Sequence, residues 1–124
     1  IHAALAFPHQ QLTGTELPKL HADTLNTIKQ ELFDLKLLII DEISLVSDKI
    51  LKWIDKRLKE LFNPTKDFGG ISVIVFGDLH QAKPVGGGWP FLTAKYHAYC
   101  NLIQPYLWHN FNAIELIEVM RQKK

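Results

Sequence analysis

Three short apolar runs rich in branched side chains, Leu37 to Ile40, Ile71 to Phe76 and Ile114 to Ile117, each end in polar residues of types that can do chemistry. The first closes in Asp41 and Glu42. The second closes in Gly77 and Asp78, with Gln81 shortly after, and the third leads through Glu118 to Arg121 and Gln122. Carboxylate oxygens are the hard ligands that Mg²⁺ prefers, and an acid beside a metal-binding one can orient or deprotonate a water molecule. The plain alternative for Asp41 and Glu42 is to cap the following turn or pair with lysines, which needs no ligand.

The elements that would position these residues follow from the apolar pattern. The first two runs read as strands buried on both faces, whereas Glu115 breaks the third. Between the first two, Leu51, Ile54, Leu58 and Leu61 recur at helical spacing, flanked by Ile50 and Phe62. Ser47 is placed to cap that helix, Asp48 sits where the helix dipole favours an anion, and Asn63 with Pro64 supplies the stop. Strand, helix and strand make a βαβ crossover, for which parallel pairing with a right-handed connection is expected. In such sheets ligands bind beyond the carboxyl ends of the strands, where these acids fall, and an apolar strand closing in Asp-Glu looks like a Walker B strand. Upstream, Asp23 to Phe33 reads as a second helix with Asp23 as its cap. Pro84 and Gly86 to Gly88 make the stretch from Gly77 to Trp89 mostly loop, and the stretch from Leu92 to Phe111 has room for one or two helices broken at Pro105.

The 124 residues suit one core, and 47% hydrophobic with 22% charged residues excludes intrinsic disorder and low-complexity scaffolds. A net charge of +1 gives no general polyanion-binding coat, so any such site must be local. Cys100 has no second cysteine to pair with, which favours a reducing intracellular compartment. The apolar runs are far shorter than the ~20 residues that span a bilayer, so no membrane partner is expected. Met120 is the only methionine, and residue 1 is therefore read as lying inside a longer polypeptide.

Three segments resemble, in order and spacing, motifs II, III and IV of the Pif-one (petite integration frequency) DNA helicases, in the RecD-like branch of superfamily one. They are LLIIDEISLVS at 37–47, FGGISVIVFGDLHQ at 68–81 and ELIEVMRQ at 115–122. Ile1, His2 and Ala3, with Phe7 and Pro8, are similar to the end of the family's motif Ia region. The resemblance implies an α/β fold: a partial RecA-like (P-loop NTPase) domain with a mostly parallel sheet flanked by helices, covering the first motor domain from motif Ia to motif IV over residues 1–124. It implies an ATP-dependent helicase that uses Mg²⁺, moves 5′ to 3′ on single-stranded and forked DNA, and serves repair, recombination and telomere maintenance in the nucleus or mitochondrion. By position, Asp41 would hold Mg²⁺ and Glu42 would be the general base for water attacking the γ-phosphate of ATP. Gln81 would sense that phosphate, Arg121 would be an arginine finger, and His2 would approach the DNA backbone. The same positions admit quieter roles, a surface arginine for Arg121 and a structural histidine for His2.

Two features depart from the family. After Gln81 the family continues LeuProProVal, whereas this chain has Ala82, Lys83, Pro84 and Val85, so Lys83 either binds a phosphate of the nucleotide or DNA or loosens the loop. None of the seven glycines precedes a lysine, so the GxxxxGKS/T cradle for the ATP phosphates does not occur. The chain alone is accordingly expected not to hydrolyse ATP. Two other readings stand beside the helicase: a binding module that keeps the fold without turnover, and a metal-dependent phosphohydrolase using Asp41, Glu42 and Asp78. The lysines at 49, 52, 56 and 59 read as a solvated face paired by Asp48 and Asp55, and Trp53, Trp89, Phe91, Tyr96 and Trp108 as packing residues rather than base-stacking ones. His97 and Cys100 lack further ligands for zinc.

Overall fold

A computed structural model describes residues 4–7, 17–80, 84, 88–91 and 107–117. Helix α1 (Ala22–Glu31) leads to strand β1 (Leu37–Ile40), a 3-10 turn (Ile43–Leu45), helix α2 (Asp48–Leu61), a second 3-10 turn (Asp67–Gly70) and strand β2 (Ser72–Val75). Strands β1 and β2 pair in parallel, with Leu37 opposite Ser72 and Ile40 opposite Val75. The βαβ unit expected from the apolar pattern is therefore present, and α2 is its crossover.

Helix α2 forms where its pattern demands. Leu51, Ile54, Leu58 and Leu61 are all buried, Ile54 and Leu58 completely, and the Ser47 hydroxyl accepts the Ile50 amide at 3.3 Å as an N-cap. Its far end packs on the Asp67–Gly70 turn. There Gly69, at φ +63, lies so close to α2 that a Cβ would stand 2.3 Å from the Leu58 carbonyl oxygen. The Asp55 carboxylate accepts the Phe68 amide at 2.7 Å, closing the turn onto the helix. The Asp48–Lys52 and Asp55–Lys59 pairs form at 3.6 and 2.8 Å, as a solvated lysine face requires, and the Lys49 ammonium lies 4.8 Å from the centre of the Trp53 ring.

Two expectations need correction. Helix α1 starts one residue earlier than the pattern suggests, with His21 as its N-cap, and ends two residues before Phe33, with Leu32 as its C-cap. Asp23 stands inside the first turn, where it favours the dipole without capping, and its backbone carbonyl accepts the Thr27 hydroxyl. The strands are not buried on both faces. Leu37, Ile39 and Ile74, which share one face by register, are 40%, 56% and 43% exposed, while Leu38, Ile40, Val73 and Val75 face the helical layer. A continuous apolar run hides that alternation, because a two-sided core strand and a one-sided strand with apolar residues on its open face read alike. The third apolar run, which Glu115 interrupts, forms no strand among the described residues, and Ile114, Leu116 and Ile117 are each more than 85% exposed. Residues 92–106, with the break expected at Pro105, lie outside the described residues apart from the 3-10 turn that follows at Leu107–Asn110.

The aromatic residues pack on one another, as expected. Phe7 meets Trp53 edge to face at 5.9 Å, and a chain of rings runs Trp89, Phe91, Trp108, Phe111 and Phe68 with centroid spacings of 5.1 to 5.9 Å. Tyr96, His97 and Cys100 lie outside the described residues.

Candidate nucleotide site

The carboxyl ends of β1 and β2 are joined by backbone. The Phe76 amide donates to the Ile40 carbonyl at 2.8 Å, and the Ile43 amide donates back to the Phe76 carbonyl at 2.8 Å. Gly77 follows at φ +149, and a Cβ there would stand 2.8 Å from the Ile43 amide nitrogen and 3.3 Å from the Glu42 carbonyl carbon. Only a glycine lets the second strand tip come this close to the first.

Held against that glycine, Glu42 adopts φ 54, ψ 55, a left-handed conformation that costs a non-glycine residue about 1–2 kcal/mol. It converts an extended strand into the Ile43–Leu45 turn within one residue, with the Leu45 amide donating to the Glu42 carbonyl at 2.9 Å. The Asp41 carboxylate folds back to accept the Glu42 amide at 3.0 Å. Local capping, the plain use of this acidic pair, is thus realised through Asp41, yet both residues remain exposed. They open onto a cleft of about 320 Å³ lined by Ile39, Ile40, Asp41, Glu42, Leu45, Val46 and Ile50. An apolar wall with two carboxylates at its rim can take a ligand whose charged end needs a cation beside it.

Asp78, on the second tip, is exposed and accepts the His80 amide at 2.8 Å in a tight Asx-type turn. Among the described residues no three His, Cys, Asp or Glu side chains gather as a metal cage. One carboxylate at the site nevertheless fits Mg²⁺, which keeps several waters and takes its remaining ligands from phosphates. Of the other residues assigned by resemblance, His2, Gln81, Lys83 and Arg121 lie outside the described residues, whereas Pro84 is described and buried.

Arg57 carried no assigned role in the sequence, yet it fastens neighbouring chain to α2. Arg57 is completely buried and donates to the Leu5 carbonyl at 3.1 Å, the Pro18 carbonyl at 3.3 Å and the Glu60 carboxylate at 2.5 Å. Glu60 in turn accepts the Leu20 amide at 3.2 Å. One ion pair on α2 therefore fastens both stretches of chain that flank residues 8–16. The signal was available: Arg57 is one of two arginines in the sequence and falls on the apolar stripe, a turn after Ile54 and a turn before Leu61.

Comparison with known proteins agrees with this geometry. A family model described as PIF1-like helicase matches residues 1–124. Over 72 residues the chain is 39% identical to the ATP-dependent DNA helicase Pif1 of Psychrobacter sp. (strain PRwf-1), covering 58% of this chain and 11% of that protein. Bacteroides Pif1 bound to ssDNA superposes with a TM-score of 0.56 at 35% identity, over 68% of this chain and 19% of its own. A Pif1 structure concerned with unwinding at forked dsDNA by two coordinating helicases matches at 30% identity and TM-score 0.56, over 82% of this chain and 22% of its own. The chain thus spans between about a tenth and a quarter of the length of these relatives. No helix among the described residues is long and apolar enough to cross a membrane. With its parallel strands, its acidic first tip and a match over every residue, the chain is a partial RecA-like α/β unit that belongs to the PIF1-like helicase family.

Proposed function

We propose that this chain is the part of an ATP-dependent DNA helicase motor that holds Mg²⁺ and activates water at the γ-phosphate of ATP, within the first RecA-like domain from motif Ia to motif IV. The observation that carries the reading is the joined strand tip, where Asp41 and Glu42 are presented together at the mouth of a cleft by a turn that Gly77 alone can approach. When bound, Mg²⁺ neutralises charge that builds on the transferred phosphate. Asp41 supplies a hard oxygen ligand to it. Glu42 orients the attacking water and takes its proton. Gln81 senses the γ-phosphate, Arg121 stabilises the same charge as an arginine finger, and His2 with Lys83 approaches the DNA backbone.

The substrates on this reading are single-stranded and forked DNA, travelled 5′ to 3′ during repair, recombination and telomere maintenance, in the nucleus or mitochondrion. The P-loop lysine must come from a segment beyond this sequence, so the 124 residues by themselves are proposed to be inactive. The phosphohydrolase alternative calls for Asp41, Glu42 and Asp78 to act as a set, and the described residues gather no such set of metal ligands.

The test is Glu42→Gln in the full-length helicase that contains this chain. Single-stranded DNA should stimulate the wild-type ATPase, and the variant should lose about 10²- to 10⁴-fold in turnover while still binding ATP. Full turnover by Glu42→Gln would remove Glu42 as the base.

A further inference from the structure

We propose that Ser44 is a positioning residue in a two-state turn: when Asp41 takes Mg²⁺, Glu42 leaves its left-handed conformation and the Ser44 hydroxyl donates to the Asp41 carbonyl. The inference rests on the helicase reading above, which makes Asp41 the metal ligand. Ser44 lies two residues after Glu42 in the Ile43–Leu45 turn and is 1% exposed. Its Oγ has no hydrogen-bond partner among the described residues, whereas the other buried polar side chains, Ser47, Asp55 and Arg57, are all engaged. A buried hydroxyl without a partner is costly, so its presence calls for a reason.

The reason lies at Glu42. In a right-handed turn a serine hydroxyl reaches the carbonyl three or four residues back, here that of Asp41 or Ile40. The Ile40 carbonyl already accepts the Phe76 amide at 2.8 Å, which leaves Asp41. Glu42, at φ 54 and ψ 55, breaks the right-handed path between Asp41 and Ser44. A left-handed glutamate and an orphaned hydroxyl therefore have one cause, and return of Glu42 to the right-handed region relieves both costs.

Two bonds hold the described state. Asp41 Oδ1 accepts the Glu42 amide at 3.0 Å, and the Ile43 amide donates to the Phe76 carbonyl at 2.8 Å. The first is made by the carboxylate assigned to Mg²⁺. An oxygen engaged by a divalent cation is a poorer acceptor for an amide, so loading Asp41 weakens the bond that supports the left-handed backbone and favours the other state. The Glu42 carboxylate is carried by this backbone change, and the base is thus re-aimed only when its neighbour holds the metal.

The experiment uses the full-length helicase that contains this chain and reads two quantities: the melting temperature without nucleotide, and the Mg²⁺ concentration that half-saturates binding of a fluorescent, non-hydrolysable ATP analogue. Ser44→Ala removes the orphan from the described state and the new bond from the loaded one. It should therefore raise the melting temperature and also raise the half-saturating Mg²⁺ concentration by about 3- to 30-fold, the worth of one buried hydroxyl bond. A serine with a structural role alone would move stability and not the Mg²⁺ requirement. Glu42→Gly compared with Glu42→Ala isolates the backbone, because both lack the carboxylate and only glycine takes the left-handed region without cost. The glycine variant should need about 3- to 30-fold more Mg²⁺ than the alanine variant. The proposal is overturned if Ser44→Ala fails to raise the melting temperature or leaves the Mg²⁺ requirement unchanged, or if the two Glu42 variants need the same Mg²⁺. Asp41→Asn tells this apart from failure of the helicase reading. If it leaves the Mg²⁺ requirement unchanged, Asp41 is not the ligand and that reading falls with the switch; if it raises the requirement while Ser44→Ala does not, the switch alone falls.

Discussion

At the scale of single residues, the site depends on two backbone conformations that carry no chemistry themselves. Glu42 bears a left-handed backbone because Gly77 leaves room for the turn to fold back on the second strand tip. Substituting Gly77→Ala drives a methyl group into the Ile43 amide at 2.8 Å. The expected cost is about 1–3 kcal/mol in a chemical denaturation, and in the full-length helicase of the proposed reading ATPase turnover should fall further than ATP affinity, because Glu42 is moved rather than removed. Equal losses in turnover and affinity would show that Gly77 does not act through Glu42. The acids themselves were legible in the sequence, because an apolar strand must end somewhere and the type of residue at its end is visible. The left-handed backbone at Glu42 was not, since a glutamate gives no propensity for it and the cause lies at a glycine in another strand.

At the scale of elements, α2 organises its neighbours through one part-buried ion pair. The Arg57 guanidinium spreads its donors over two backbone carbonyls and Glu60, a division of labour that the compact ammonium of a lysine cannot match. Arg57→Ala removes the cation from part-buried Glu60 and its own donors from the Leu5 and Pro18 carbonyls, which should destabilise the fold by about 1–3 kcal/mol in urea denaturation. Arg57→Lys should recover less than half of that loss, and full recovery would mean that charge alone matters at this position. Helix α2 was readable because its stripe, N-cap and stop agree with one another. Arg57 lies on the apolar stripe and not on the lysine face, but the carbonyls that take its donors come from chain far away in sequence, so its position was visible and its partners were not. The faces of the strands were misread for a related reason: LLII and SVIV state how apolar a strand is but not which side is covered.

At the scale of the whole molecule, a surface network ties α2 to the Asp67–Gly70 turn and to the Leu107–Asn110 turn. Lys59 Nζ donates to Asp55 at 2.8 Å and Asp67 at 2.9 Å, and Asn110 donates to Asp67 at 2.8 Å. The Lys59 hydrogen bond, helped by its charge and by Asn110, outweighs partial burial and holds the Asp67 carboxyl below its ordinary 3.8. Burial works against the Lys59 ammonium, but the Asp55 and Asp67 hydrogen bonds and charges together outweigh it and hold the group above 10.5. The Asp67 contribution is thus present above 3.8 and lost as pH falls through its lowered native value, whereas that of Lys59 is present below 10.5 and lost as pH rises through its raised one. Because Asp67 is 43% exposed the effect is small, but its shape is specific. Asp67→Asn should lower the denaturation midpoint at neutral pH and lose that difference as pH falls below 3.8 through the lowered native value; a difference that persists in acid would assign the loss to packing.

The open face of the sheet has a consequence for handling. Leu37, Ile39 and Ile74 stand in water beside Phe76, itself 48% exposed, on a sheet that has only two strands among the described residues. A greasy ribbon of this kind adheres to whatever apolar surface it meets first. Detergent or a fusion partner is therefore the sensible companion for these 124 residues when they are handled on their own.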